Sequence, residues 1–326
     1  MRVLVTGAAG QDGSYLTEAC VKAGHEVHCL VRDQDNLASL RAVEDRIRLS
    51  SVSLLDHTAL SALMSEIEPD RCFHLAAQSA AHGADVGATL QINAMGTVHL
   101  LDALARHAPG CRFLLAGSAE QLAAGPQSPF NERSPEAPRS EYGLSKAMAA
   151  QAVRFYRSRR ELFAATAILF NHESPRRGPG FISRKLARAA ARIAAGLETS
   201  VDVGDLDAIR DWGYAPDYVD AMLRMLEKDS PVDVVICTGV GRTVRDMARA
   251  AFGAVGLEAD PYLRVRQDLQ RLPDPVALIG DPSFAAAWLG WRPSKAFHEM
   301  MADMVEAERT ALSGSSLAFP HSGHID

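Results

Sequence analysis

The chain has 326 residues, more than a single core of about 250–300 residues accommodates, so one large body with a smaller partner is expected. With 47% hydrophobic and 23% charged residues it has ample material for packing, which excludes wholesale disorder. Its 40 acidic against 34 basic side chains leave a formal charge of −6, which excludes overall attraction to nucleic acid or an anionic membrane surface. No run of about 18 uncharged apolar residues occurs, and Asp12 and Glu18 interrupt any N-terminal leader pattern, so a cytoplasmic protein is expected. Cys20, Cys29, Cys72, Cys111 and Cys237 are odd in number and scattered, never in a CxxC pair. They read as reduced structural thiols, with neither a disulfide framework nor a metal site.

In chain order, residues 1–5 read as a strand, 6–13 as a glycine-rich turn and 14–23 as a helix carrying Tyr15, Leu16, Ala19 and Cys20 at helical spacing. Strands are expected at 25–31, 48–54, 71–77, 112–117 and 164–170, with helices near 58–67 and 96–107. Continuous apolar strands alternating with helices predict a doubly wound parallel α/β sheet, whose ligands sit at the carboxyl ends of the strands. After Asn171 the alternation loosens. Pro175, Gly178, Pro179 and Gly180 mark a loop before a basic helix at 181–195, and 233–238 reads as a strand returning to the first sheet. The expected division is a dinucleotide-binding body at 1–170, rejoined by about 212–240, and a smaller α+β substrate lobe at 171–211 and 241–312. Residues 313–326, rich in Ser, Gly and His, are expected to fray.

The turn Thr6-Gly7-Ala8-Ala9-Gly10-Gln11-Asp12-Gly13 sets three glycines at GxxGxxG between a strand and a helix. Glycine admits positive φ and close approach of a pyrophosphate, and the helix N-terminus attracts the anion, so Gly7, Gly10 and Gly13 predict a dinucleotide site. After the second strand Arg32 points to the 2′-phosphate of NADP, while the adjacent Asp33 leaves NAD open.

Tyr142 and Lys146 lie four residues apart at the start of a helical stretch, on one face. A neighbouring ammonium and an oxidised nicotinamide both favour tyrosinate, which predicts a phenol acidified into a usable base. Beyond the strand at 112–117, Ser118 can hydrogen-bond the same substrate oxygen. Glu120 supplies a carboxylate that ketone reduction does not need and an elimination does. Two other readings remain at this point: a reductase or epimerase sharing the Tyr-Lys pair, and a non-catalytic NADP-binding sensor. His172-Glu173 lacks the second histidine of HExxH, and His25 with His28 falls on opposite faces of a strand, so no metal is expected.

The glycine spacing resembles that of extended short-chain dehydrogenase/reductases, and further stretches resemble the GDP-mannose 4,6-dehydratase branch. These are Thr6 to Leu16, Leu75-Ala76-Ala77-Gln78-Ser79, Pro138-Arg139-Ser140-Glu141-Tyr142-Gly143, Ile168 to Gly178 with Asn171-His172-Glu173-Ser174-Pro175, and Arg210-Asp211-Trp212-Gly213-Tyr214-Ala215. The resemblance implies a catalytic set of Ser118, Glu120, Tyr142 and Lys146. It adds Gln11, Asp12, Asp56, Leu75, Ala76, Ala77 and His172 to the cofactor residues. It also implies a GDP-hexose held by Asn171, Arg184, Lys185, Arg210, Arg271 and Asp274, cations suiting phosphate. Family members carry Arg-Arg-Ser-Ser after the second strand as a tetramer contact. Here Asp33-Gln34-Asp35-Asn36 follows Arg32, so a homodimer is expected. Ala80-Ala81-His82-Gly83 after Ser79 lacks the polar residues that touch the sugar, which opens the hexose to sugars other than mannose.

Overall fold

The computed structural model describes residues 1–32, 37–78, 85–122, 128–269 and 277–316. The first half runs β1 (Arg2–Thr6), α1 (Gln11–Lys22), β2 (Glu26–Leu30), β3 (Ile47–Ser50), α2 (His57–Ile67), β4 (Arg71–His74) and α3 (Val86–Leu90). A π turn (Gln91–Met95) leads into α4 (Gly96–His107), followed by β5 (Arg112–Ala116), α5 (Glu141–Arg159) and β6 (Ala164–Leu169). The second half continues with β7 (Asn171–Glu173), α6 (Ile182–Ala194), β8 (Val201–Val203), β9 (Ile209–Tyr214), α7 (Ala215–Met225) and β10 (Val234–Ile236). It ends with β11 (Gly241–Thr243), α8 (Val244–Gly253), β12 (Leu263–Val265), α9 (Ser283–Leu289) and α10 (Phe297–Ser316).

Seven strands form one sheet in the order β10-β6-β5-β4-β1-β2-β3, every pairing parallel. Alternation sends Val3 and Val5 of β1 into the core beneath α1 and α7, and Leu4 into the core beneath α2, α4 and α5. Leu114 of β5 joins the first core, Phe113 and Leu115 the second. Both faces are covered, which is why these strands are apolar throughout rather than alternating. Strand order reverses between β1 and β4, opening the crevice at their carboxyl ends where such sheets bind ligands.

A second cluster packs α6, α8 and α10 around Leu186, Met247, Phe252, Met301 and Trp212. Beside it lie a three-stranded sheet, β11-β9-β7, and a pair, β12-β8. The chain returns to the first body through α7, whose Tyr218, Met222 and Met225 sit in the core under α1, and through β10, which pairs with β6.

Four boundaries differ from the sequence reading. Gln11, Asp12 and Gly13 form the first turn of α1 rather than part of the loop. The third strand starts at Ile47 and ends at Ser50, four residues before the expected limit. β4 stops at His74 because Leu75 and Ala76 leave the ladder to bond Thr6, through its carbonyl and its hydroxyl respectively. The expected fraying from 313 is corrected in part: α10 runs to Ser316, and 317–326 lie outside the described residues.

Candidate active site

The glycine turn meets the steric demands of a dinucleotide cradle. Gly7 has φ +70°, and a Cβ there would come within 2.7 Å of Ala76 N at the end of β4. A Cβ on Gly13 would lie 2.2 Å from Gly7 O, so the helix can start this close to the strand only without a side chain. Gly10 is the N-cap of α1 and supplies no side-chain acceptor, leaving the first amides of the helix to an anion. Leu75, Ala76 and Ala77 line the opposite lip, half-buried, and Arg32 stands exposed just beyond β2. Asp56 caps α2, its Oδ1 accepting from Ala59 N at 2.9 Å.

His172 lies beside the turn, bonded to Asp12, with both ring nitrogens engaged. Nε2 lies 2.8 Å from Asp12 Oδ2 and Nδ1 lies 2.7 Å from Phe170 O, while the ring stacks on Tyr218 at 4.6 Å. Burial opposes charge on both partners. The pairing overrides it, holding His172 above its ordinary value and Asp12 below the usual carboxylate range.

Tyr142 and Lys146 open α5, whose N-cap is Ser140. Ser140 Oγ accepts from Gly143 N at 2.9 Å and donates to Glu120 Oε2 at 2.5 Å, so the cap of this helix also holds the candidate acid-base carboxylate. Gly143 makes that approach possible, since a Cβ there would lie 2.5 Å from Glu120 O. Ser118 lies beside the Tyr142 phenol, and its Oγ accepts from Glu120 N at 3.2 Å. Ser118, Glu120, Tyr142 and Lys146 are thus brought together, as their positions in the sequence suggest.

Lys146 is anchored on β5 beside Tyr142. Lys146 Nζ donates to Ala116 O at 2.7 Å and lies 5.7 Å from the Tyr142 ring centroid. Burial, and then the charge of Glu120, push the phenol well above its ordinary value. Burial also lowers Lys146, to about 8.

Residues outside the sequence reading tie the start of α5 to β4. Asn93, in the π turn, accepts from Gln78 N at 2.7 Å and donates to Gln78 O at 3.1 Å and Ser145 Oγ at 2.9 Å. Ser145 Oγ donates in turn to Tyr142 O at 2.7 Å. Beneath them Thr97 Oγ1 donates to Asn93 O, so His74 Nε2 donates to Thr97 Oγ1 at 3.0 Å and Nδ1 faces Thr6 Oγ1 at 2.7 Å. Burial, followed by the charge of Lys146, lowers His74 to about 3 and keeps it neutral. Arg177 also lies outside the sequence reading. Its charge acts on Tyr142, Asp12 and His172, and its guanidinium lies 3.5 Å from the centre of the Phe181 ring. Its place in the stretch Pro175-Arg176-Arg177-Gly178, next to His172, was the available signal.

The candidate substrate residues divide. Asn171 and Arg210 share one face of the small sheet, because Asn171 pairs with Trp212, two residues from Arg210. Lys185 is exposed on α6 and lines a cavity of about 600 Å³ with Arg184, Arg188, Ser200, Asp202 and Arg264. Arg184 also braces the lobe, since its Nε pairs with Glu308 and its Nη1 donates to Arg177 O at 2.8 Å. Arg271 and Asp274 lie outside the described residues, as do Asp33 to Asn36 and the segment Ser79 to Ala84. All five cysteines are buried and free, and among the described residues no cluster suits a metal ion.

Comparison with known proteins follows the same lines. Residues 4–304 match the family model described as GDP-mannose 4,6 dehydratase. A protein named GDP-mannose 4,6 dehydratase 2 from Arabidopsis thaliana is 38% identical over 339 residues, spanning 99% of this chain and 90% of that one. GDP-mannose 4,6 dehydratase from Homo sapiens is 35% identical over 336 residues, spanning 94% and 90% respectively. In fold the chain is similar to a solved UDP-glucose 4-epimerase from Thermotoga maritima, with TM-score 0.85, 24% identity and coverage of 96% and 100%. It is also similar to the structure of RMD from Pseudomonas aeruginosa complexed with NADPH, with TM-score 0.80, 26% identity and coverage of 95% and 99%. By the extent of the family match and the identity of these relatives, the chain belongs to the GDP-mannose 4,6-dehydratase family.

Proposed function

We propose that this protein is a nucleotide-sugar 4,6-dehydratase that converts a GDP-hexose, GDP-mannose or a close relative, into its 4-keto-6-deoxy product with NADP recycled in place. The observation that carries the reading is Glu120 on the cap of the Tyr142 helix, a second acid-base group beside the first. Tyr142 accepts the proton of the C4 hydroxyl as C4 becomes a carbonyl, with Ser118 steadying the oxygen. The bound nicotinamide supplies a reversible hydride acceptor for C4 and donor for C6. The new ketone acidifies C5–H; Glu120 removes that proton and gives it to the C6 hydroxyl, which leaves as water. Tyr142 returns its proton to C5 as C6 is reduced, so the enzyme ends as it began and the sugar has lost one water.

Gly7, Gly10, Gly13 and the lip at Leu75 to Ala77 hold the dinucleotide in this reading, and Arg32 at the end of β2 favours NADP. Asn171, Lys185 and Arg210 hold the GDP-sugar, and the family resemblance assigns Arg271 and Asp274 to the same task. Buried thiols suit a reducing cytoplasm. A second copy is expected on α5, where Leu144, Met148 and Phe155 are 40%, 45% and 53% exposed at helical spacing. The test is stoichiometric. Turnover of GDP-mannose with catalytic NADP and no net NADPH change supports the dehydratase, whereas inert GDP-mannose, with one supplied NADPH consumed per 4-keto-6-deoxy sugar added, identifies a reductase.

A further inference from the structure

β7 and the loop after it run between two helices, and their residues sort by parity. On the even side Ser174 Oγ donates to Gln11 Oε1 at 2.9 Å, and Gln11 Nε2 donates back to His172 O at 3.1 Å. Arg176 donates to Ser14 Oγ at 3.1 Å and to Glu18 Oε1 at 2.6 Å, and its guanidinium lies 4.1 Å from the Tyr15 ring centroid. Residues 11, 14, 15 and 18 form one stripe of α1. After β7 the chain turns at 174–177, where Arg177 N donates to Ser174 O at 3.0 Å, and the long Arg176 side chain carries the contact on to Glu18. On the odd side Glu173 accepts from Ser183 Oγ at 2.5 Å and pairs with Arg177 at 3.0 Å. The carbonyls of Pro175 and Arg177 accept from Arg184 of α6.

We propose that residues 172–177 act as a two-sided strap: Ser174 and Arg176 are positioning residues that fix the dinucleotide turn through α1, while Glu173 and Ser183 fix the substrate end of α6. The inference rests on the reading that the Gly7 to Gly13 turn takes the dinucleotide and α6 takes the GDP-sugar. Arg176 grips α1 at Ser14, the residue after Gly13, and at Glu18, about one helical turn further on, so its effect on the cofactor is exerted through the helix.

The test is calorimetric titration of the full chain with NADP alone and with GDP alone. Arg176→Met is expected to weaken NADP about tenfold and leave GDP within about twofold, a coupling of ordinary size. Arg176→Lys, which keeps a cation for Glu18, restores most of the loss, and Glu18→Gln combined with Arg176→Met adds little to Arg176→Met alone. Ser183→Ala has the opposite signature, weakening GDP and sparing NADP. Equal weakening of both ligands by Arg176→Met, or unchanged NADP affinity, overturns the strap while leaving the proposed reaction intact. A wild-type chain that binds neither probe overturns the proposed reaction and the strap together.

Discussion

Glu120 and Tyr142 share one short path through Ser118 and Ser140, and their substitutions should separate two halves of the chemistry. Glu120→Gln is expected to cut turnover about 10²–10⁴-fold while GDP-mannose binding persists, measured by titration beside product formation. Tyr142→Phe should lose the first oxidation as well, so no reduced cofactor accumulates in a single turnover. Unchanged turnover in either variant would remove that residue from the mechanism. Lys146, lowered to about 8, is charged below that pH and neutral above it, so kcat/KM should fall on the alkaline side as the ammonium discharges. A profile flat through that pH would contradict the assignment. The pair Asp12–His172 makes a separate prediction about stability. His172 is raised on folding, so its contribution is full below about pH 6.5 and lost as pH rises through the folded value. Asp12 is lowered, so its contribution is present above about pH 4 and lost as pH falls through the folded value. Asp12→Asn should therefore lower Tm by about 2–4 °C more near pH 5.5 than near pH 9, as read by thermal denaturation.

The first turn of α5 concentrates the site: one helix start supplies the cap for Glu120, the phenol and the buried ammonium. Gly143→Ala tests this arrangement, because alanine favours a helix by about 1 kcal/mol over glycine. The added Cβ would nevertheless meet Glu120 O at 2.5 Å, so the expected result is a rate loss of about 10²-fold with NADP affinity retained. The central strands and the helices α1, α2, α4 and α6 were legible in the sequence, the strands because burial on both sheet faces writes continuous apolar runs, as in β5 and β6. The strands of the smaller sheets were not. β7, β8, β11 and β12 have three residues each, too few to carry a period, and they are fixed by partners far along the chain. The helix at 96–107 was legible too, but its extension back through the π turn to Val86 was not, since Asn93 there serves Gln78 and Ser145 rather than a helical face.

For the whole molecule, the folded chain brings together residues from the turn after β1, from β7, from the segment after β5 and from the start of α5. Tyr142, Lys146 and Glu120 could be found from spacing, because their chemistry demands those side chains close to a helix start. His74 and Asn93 could not, since a buried polar residue in an apolar strand or helix declares its partners, 68 and 52 residues away, only once folded. The exposed stripe on α5 predicts a dimer of 35.1 kDa subunits, and Met148→Glu with Phe155→Glu should give a monomer by analytical ultracentrifugation. A wild-type monomer would contradict that surface assignment. The central claim is tested most directly by incubating the purified chain with GDP-mannose and a trace of NADP and weighing the product by mass spectrometry. The expected product is lighter than the substrate by one water, with the GDP moiety intact. A GDP-mannose pool unchanged in mass, from protein that binds both NADP and GDP-mannose, would contradict it.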